Sequence, residues 1–228
     1  MAIDYVKKPK QPAAGAAPVS SGTVTLTKSA PSVSLTKRGR EGGTLRVNLK
    51  WNPRPDGDLG APPARGLFKK AQGPRPIDLD LGCMYEYADG SKGVVQALGD
   101  TLRDTADPGP ICWLDRDDRS GTSAEGENLF VDMGKVAAIK RILVFAFIYD
   151  GVTNWAGADG VVTLHPVTGP QVEVRLDEHD PKSGMCAIAM LENVDGELVV
   201  RREVRYVRGH RDLDEAFGWG MRWTAGRK

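Results

Sequence analysis

The 228-residue chain is poor in cysteine, in histidine and in long apolar runs, and each shortage excludes a class of function. Its three cysteines, Cys83, Cys112 and Cys186, lie far apart, and no CxxC pair occurs, so neither a zinc knuckle nor a thioredoxin-type motif is present. They read as reduced, mostly buried thiols of a cytosolic protein, and their burial argues against direct thiol chemistry. The longest strongly apolar run, residues 142–149, is too short to cross a bilayer, and the first ten residues show no secretory h-region. The three histidines, His165, His179 and His210, are scattered. Of these, His179 sits between acids in a DEHD string that reads as a surface turn. GxSxG, HExxH, Walker A and GxGxxG strings are all missing, so no catalytic constellation is expected. A charge excess is missing too, since 31 Lys+Arg face 30 Asp+Glu.

That balance is a cancellation. Residues 1–40 carry a net +6, residues 41–200 a net −9 and residues 201–228 a net +4. An acidic body therefore lies between two basic ends, both without a dense Lys/Arg run, and no nucleic-acid partner is expected. Glycine (27) and proline (15) are abundant, which points to many turns. Part of the excess lies in residues 1–22, an Ala/Pro-rich stretch without apolar periodicity that reads as a disordered extension. Another part lies in residues 52–77, with six prolines and five basic side chains against two acids. At that length it reads as an inserted loop on the domain formed by residues 23–228.

The remainder alternates with period two. VTLTK (24–28) and VSLTK (33–37) form a short repeat that reads as two edge strands. In TLRVNLKW and DLDLGCMYEY every second residue is apolar, and the turn ADGS followed by GVVQAL marks a hairpin. Further strands are predicted over 128–132, 140–149, 160–165, 171–176, 185–192 and 197–207, with NVDG as a second hairpin turn. RILVFAFIY is continuously apolar after its arginine and should be a central strand covered on both faces. Helix is confined to a turn near 132–138 and a short segment over 212–217 that Gly218 ends. This is an all-β pattern, an antiparallel β-sandwich with few short helices. Phe217, Trp219 and Trp223 are expected to close one end of its core.

Two acidic groupings carry the only chemistry. Asp78 and Asp80 flank Leu79, so both carboxylates project from the face opposite Leu79 and Leu81. Five further carboxylates, Asp115, Asp117, Asp118, Glu125 and Glu127, crowd a glycine-containing loop that ends at Asn128. Carboxylates gathered by a fold must be neutralised, by Arg116 and Arg119 or by a hard divalent cation such as calcium. The loop is not an EF-hand, because Ser120 stands where that loop requires glycine and Gly126 where it requires glutamate.

Seven strings in order (VSLTK, GTLRVNLKW, DLDLGCMYEYADGSKGVVQALG, LDRDDRSG with EGENL, KRILVFAFIYDG, RLDEH and AFGWGMRW) resemble the TerD family of bacterial tellurium-resistance and stress proteins, its TerA-like branch above all. The likeness spans residues 33–228 apart from the 52–77 loop. It implies a β-sandwich that binds calcium through acidic loops, whose hallmark is a DLD strand followed by GDNxTGxGxGDDE. By position, Asp78 and Asp80 match the DLD pair, Asp117 and Asp118 its Asp-Asn, Gly121 its glycine, and Glu127 with Asn128 its closing acids. Arg116 in place of glycine and TSAEG in place of part of the Gly/acid run depart from that pattern.

With Asp115 and Glu125 added from the loop itself, the expected ligand set is Asp78, Asp80, Asp115, Asp117, Asp118, Gly121, Glu125, Glu127 and Asn128, with Ca2+ as cofactor. The resemblance implies a non-enzymatic, cytoplasmic adaptor that works with other tellurium-resistance and stress proteins, in assemblies at the inner face of the membrane. Two alternatives use the same acids. One is a divalent-metal enzyme of phosphoryl transfer or hydrolysis, and the other a C2-like module that binds anionic membranes through calcium.

Overall fold

A computed structural model describes residues 23–25, 32–35, 42–53, 77–115 and 125–224. The expected disordered extension (1–22) and most of the expected 52–77 loop lie outside these residues. The loop's neck is inside: the Ile77 N–H donates to the Pro53 carbonyl at 3.0 Å, and Trp51 Nε1 donates to the Ile77 carbonyl at 2.8 Å. The loop therefore leaves and re-enters the fold at one point.

Twelve strands form two six-stranded sheets among the described residues. They are β1 (Thr23–Thr25), β2 (Ser32–Ser34), β3 (Thr44–Lys50), β4 (Asp78–Tyr87), β5 (Lys92–Gln96), β6 (Cys112–Leu114), β7 (Glu127–Asp132), β8 (Ile139–Asp150), β9 (Gly160–His165), β10 (Gln171–Leu176), β11 (Met185–Val194) and β12 (Glu197–Val207). The first sheet runs β1-β10-β9-β3-β7-β6 and the second β2-β12-β11-β8-β4-β5. Pairing is antiparallel except between β1 and β10. The start of each copy of the short repeat thus lies in an edge strand, the two on opposite sheets, while residues 26–28 and 36–37 lie outside the described residues. β6 has only three residues and was not anticipated. A 3₁₀ turn (Met133–Ala138) and one helix, α1 (His210–Phe217), complete the described elements. Gly218 ends α1 in the left-handed conformation that glycine adopts without strain. None of the described helices is long and apolar enough to cross a membrane.

Alternation sends Leu45, Val47 and Leu49 of β3, Leu79, Leu81 and Cys83 of β4, and Val144 and Ala146 of β8 into the space between the sheets. The second sheet is apolar on its other face as well. Met84, Leu143, Phe145, Phe147, Met185, Ala187 and Met190 form a separate buried cluster there, covered by Leu213 of α1 and by Trp219. Gly82 lies in this outer face, and a Cβ there would come within 2.7 Å of the Phe145 ring. Residues 142–147 of the RILVFAFIY stretch are covered on both faces, as their composition requires, while Tyr149 at its end is exposed. The C-terminal aromatics, however, do not close the end of the sandwich. Trp219 lies on the outer face of the second sheet, because that face is as apolar as the inner one and needs a cover of its own.

Polar contacts lock this cover in place. Asp214 accepts from the Gly220 and Met221 amides, both at 2.8 Å, and from Trp223 Nε1 at 2.9 Å. Trp219 Nε1 donates to the Tyr85 carbonyl at 3.2 Å. Arg141 stacks 3.9 Å from the Trp219 ring and donates to the carbonyls of Phe217 and Gly218 at 3.0 and 3.2 Å. Its Nε meets the buried Glu86 carboxylate at 2.7 Å, and Lys140 meets the same carboxylate at 2.7 Å. The Lys140 hydrogen bond, then Arg141 and Lys92, hold the Glu86 carboxyl down at about 2 against the upward pull of burial.

A carboxyl depressed on folding stabilises the fold fully above its ordinary value of 4.5, and that contribution is lost as pH falls toward 2. Glu86→Gln should therefore lower Tm at pH 7 and flatten the decline of Tm between pH 4.5 and 2, as read by circular dichroism melts.

Candidate functional site

β4 is ten residues long and its neighbour β5 only five. Their pairing ends at Gly82 opposite Gln96, so Asp78 to Leu81 run on past β5 with one backbone edge unpaired by it. The Leu81 N–H on that edge donates to Glu127 Oε2 of β7 at 2.7 Å. A side chain of one sheet thereby completes the hydrogen bonding of the other. Asp80 precedes Leu81 and lies opposite Phe147, on the outer face of the second sheet. Asp80 is fully buried, Glu127 is 1% exposed and Asp78 6%. Each of the three is engaged in further polar interactions.

A second polar group lies on the outer face of the first sheet. Asn48 of β3 donates through Nδ2 to the Glu125 carbonyl at 2.5 Å and to Asn128 Oδ1 at 2.9 Å. Asn128 in turn donates through Nδ2 to Asp115 Oδ2 at 2.9 Å and through its backbone N–H to Asp115 Oδ1 at 3.2 Å. The Asp115 amide closes the ring by donating to the Asn128 carbonyl at 3.1 Å. This ring is the neck of the acidic loop, which leaves at Asp115 and returns at Glu125. The return needs glycine: Gly126 has φ +65°, and a Cβ there would fall 2.2 Å from the Leu49 carbonyl oxygen.

The expected ligand set is thus divided. Asp78 and Asp80 project from the outer face at the start of β4 and Glu127 reaches the Leu81 amide from the other sheet, while Asp115 and Asn128 form the loop neck with the exposed Glu125. Successive residues of β7 point to opposite faces, so Glu127 and Asn128 cannot serve one centre through their side chains. Asp117, Asp118 and Gly121 lie outside the described residues. Among the described residues no three His, Cys, Asp or Glu side chains come close enough to hold a metal ion. The oxygen-only chemistry of the set suits a hard cation such as calcium.

Two buried features escaped sequence reasoning. Asn48 is one polar residue on a strand with no motif around it. Asp104 lies in a loop and accepts from the Tyr87 hydroxyl at 2.5 Å, from the amides of Ile111 and Ala106 at 2.9 Å, and from the Cys112 amide at 2.6 Å. It pins the segment leading into β6. Burial, with Cys112 and Asp104 alongside, pushes the Tyr87 hydroxyl far above its ordinary value. All three cysteines are buried. Burial raises the Cys83 thiol, reinforced by Cys112, and it raises Cys186. Both stay protonated at neutral pH and are poor nucleophiles. His179 is exposed, as its turn context suggests.

No family model matches the chain. Among solved structures, a protein of unknown function superposes with a TM-score of 0.50 at 16% identity, covering 77% of this chain and 95% of that one. A homologue of the telluride resistance protein TerD from Streptomyces coelicolor A3(2) superposes with a TM-score of 0.49 at 19% identity, covering 75% of this chain and 94% of that one. Fold and site together define a two-sheet β-sandwich with an acidic loop anchored between β6 and β7. The tellurium resistance protein TerA of an Alcaligenes species is 43% identical over 210 residues, which are 92% of this chain, and the chain spans 60% of that relative's length. The chain is TerA-like over nearly its whole length.

Glu127→Ala removes the acceptor of a buried amide and should destabilise the protein by about 1–3 kcal/mol in urea unfolding. Glu127→Gln retains an acceptor oxygen and should recover most of that loss. If both substitutions cost the same, the negative charge matters there and not the hydrogen bond.

Proposed function

We propose that the chain acts in tellurium resistance as a non-enzymatic β-sandwich adaptor that binds calcium at its acidic loop. The observation that carries the first half is the 43% identity to TerA over 210 residues. Support for the second half comes from the chemistry of the loop and of the free end of β4. Asp80 is wholly buried beside the Leu81 amide that holds Glu127, and the ring of Asn48, Asn128 and Asp115 fixes where the intervening segment begins and ends. Asp78 and Asp80 would meet the ion from the start of β4, with Asp117 and Asp118 completing its shell from the loop. When bound, the ion supplies the positive charge that offsets repulsion among these carboxylates. The ion-bound loop then presents a surface to other resistance proteins in the cytoplasm.

A ligand that binds only the folded state raises stability, by about 2.7 kcal/mol at a hundredfold excess over its Kd. Tm in millimolar calcium should therefore exceed Tm in chelator, and Asp80→Asn or Asp117→Ala should abolish the difference. An unchanged Tm across a calcium titration of the unaltered protein rejects the ion-binding half. In a tellurite-resistant host from which the chain has been deleted, the unaltered protein should restore growth on tellurite, and failure to do so rejects the first half.

A further inference from the structure

A cleft of about 790 Å3 opens on the outer side of the second sheet, between the end of β5, the start of α1 and the C-terminal segment. That volume is within the range of small-molecule sites, and none of Asp78, Asp80, Asp115, Glu125 or Glu127 lines the cleft. Leu98, Met221 and Trp223 line its apolar part. His210 forms its inner wall, with its ring edge-on to Phe145 and Phe147 at 5.7 and 5.2 Å and tilted against Trp223 at 4.9 Å.

The wall is uncharged. Burial lowers His210 to about 4, so the ring is neutral at physiological pH. Its tautomer follows from its neighbour: Gln96 Nε2 donates to the Leu98 carbonyl at 3.0 Å, which turns Gln96 Oε1 toward His210 Nε2 at 2.7 Å. An amide oxygen can only accept, so Nε2 carries the proton.

The charge of the cleft is at its mouth. Arg208 is neutralised by Asp212, with which it makes a two-point ion pair. Asp214 spends both oxygens on the C-terminal segment. Arg211 and Arg222 also line the cleft, are exposed, and have no ion-pair partner among the described residues. Two unneutralised guanidinium groups beside an apolar, aromatic hollow form the recognition pattern for an amphipathic anion.

We propose that this cleft binds a small organic anion, whose flat apolar body lies on Leu98, Met221 and Trp223 and whose carboxylate, sulfonate or phosphate head is held by Arg211 and Arg222. The head has to be anionic because, among the described residues lining this cleft, the charges without an ion-pair partner are cationic, and the body has to be apolar because the inner wall offers no charge to a polar one.

Two probes sharing one ring system separate head from body: 1-anilinonaphthalene-8-sulfonate, which carries the anion, and N-phenyl-1-naphthylamine, which does not. Titration of the sulfonate into isotope-labelled protein should move the amide signals of Leu98, Gly99, His210 and Met221 ahead of all others. The double variant Arg211→Glu, Arg222→Glu should weaken the sulfonate at least about tenfold, the expected scale for losing charge-assisted hydrogen bonds, and leave the neutral probe unchanged. Three results would overturn the proposal: no sulfonate binding at millimolar concentration, shifts centred elsewhere, or equal weakening of both probes by the charge reversal. The amide map uses the unaltered protein, so it decides even if the variant folds poorly.

Discussion

The constraint from which the rest of the structure follows is that the second sheet is apolar on both faces. Ile142, Val144 and Ala146 of β8 face the first sheet, while Leu143, Phe145 and Phe147 face the opposite way. A sheet of this kind is stable only with two covers. The first sheet is one, and the segment from α1 through Trp223 is the other. The Glu86–Arg141 ion pair, the stack of Arg141 on Trp219 and the Asp214 hydrogen bonds are the polar means of keeping the second cover in register. The basic C-terminal region therefore has a structural explanation: two of its arginines, Arg205 and Arg208, bond to Ala216 and Asp212 of α1, and others line the cleft beside it.

β4 connects this arrangement to the acidic region. Its residues from Gly82 onward are held by β5 and covered by Trp219, whereas its first four residues extend past β5. The carboxylates of Asp78 and Asp80 are buried at that extension, and Glu127 crosses from the other sheet to satisfy the Leu81 amide. The end of β5 marks a boundary, with the acidic extension on one side and the Gln96–His210 contact of the cleft on the other. One strand thus carries the inter-sheet core, the outer cluster and the acids.

Much of this was legible in the sequence because strands with one buried face announce themselves by alternation. β9, β10 and β12 have the bounds their patterns predict, and the DLD string places Asp78 and Asp80 opposite Leu79. RILVFAFIY announced two covers without saying what the second was. That required knowing which face Trp219 meets, and a tryptophan after a helix fits the end of a sandwich as well as its side. β6 was missed because three residues are too few to show a period. Asp104 and Asn48 were missed for a different reason: each acts on backbone groups brought near only by folding, and no local spacing records such a partner. The division of Glu127 from Asn128 follows from strand alternation and could have been read from the sequence, had the acidic loop been recognised as ending inside β7.

The central claim is that Trp219 is a core residue of the second sheet's outer face and not a surface aromatic. Urea unfolding of Trp219→Ala tests it most directly. If the outer cluster is a true core, the substitution should lower the unfolding free energy by about 3–5 kcal/mol, the range for truncating a large buried aromatic. A loss within about 0.5 kcal/mol, as at an ordinary surface position, would contradict the account.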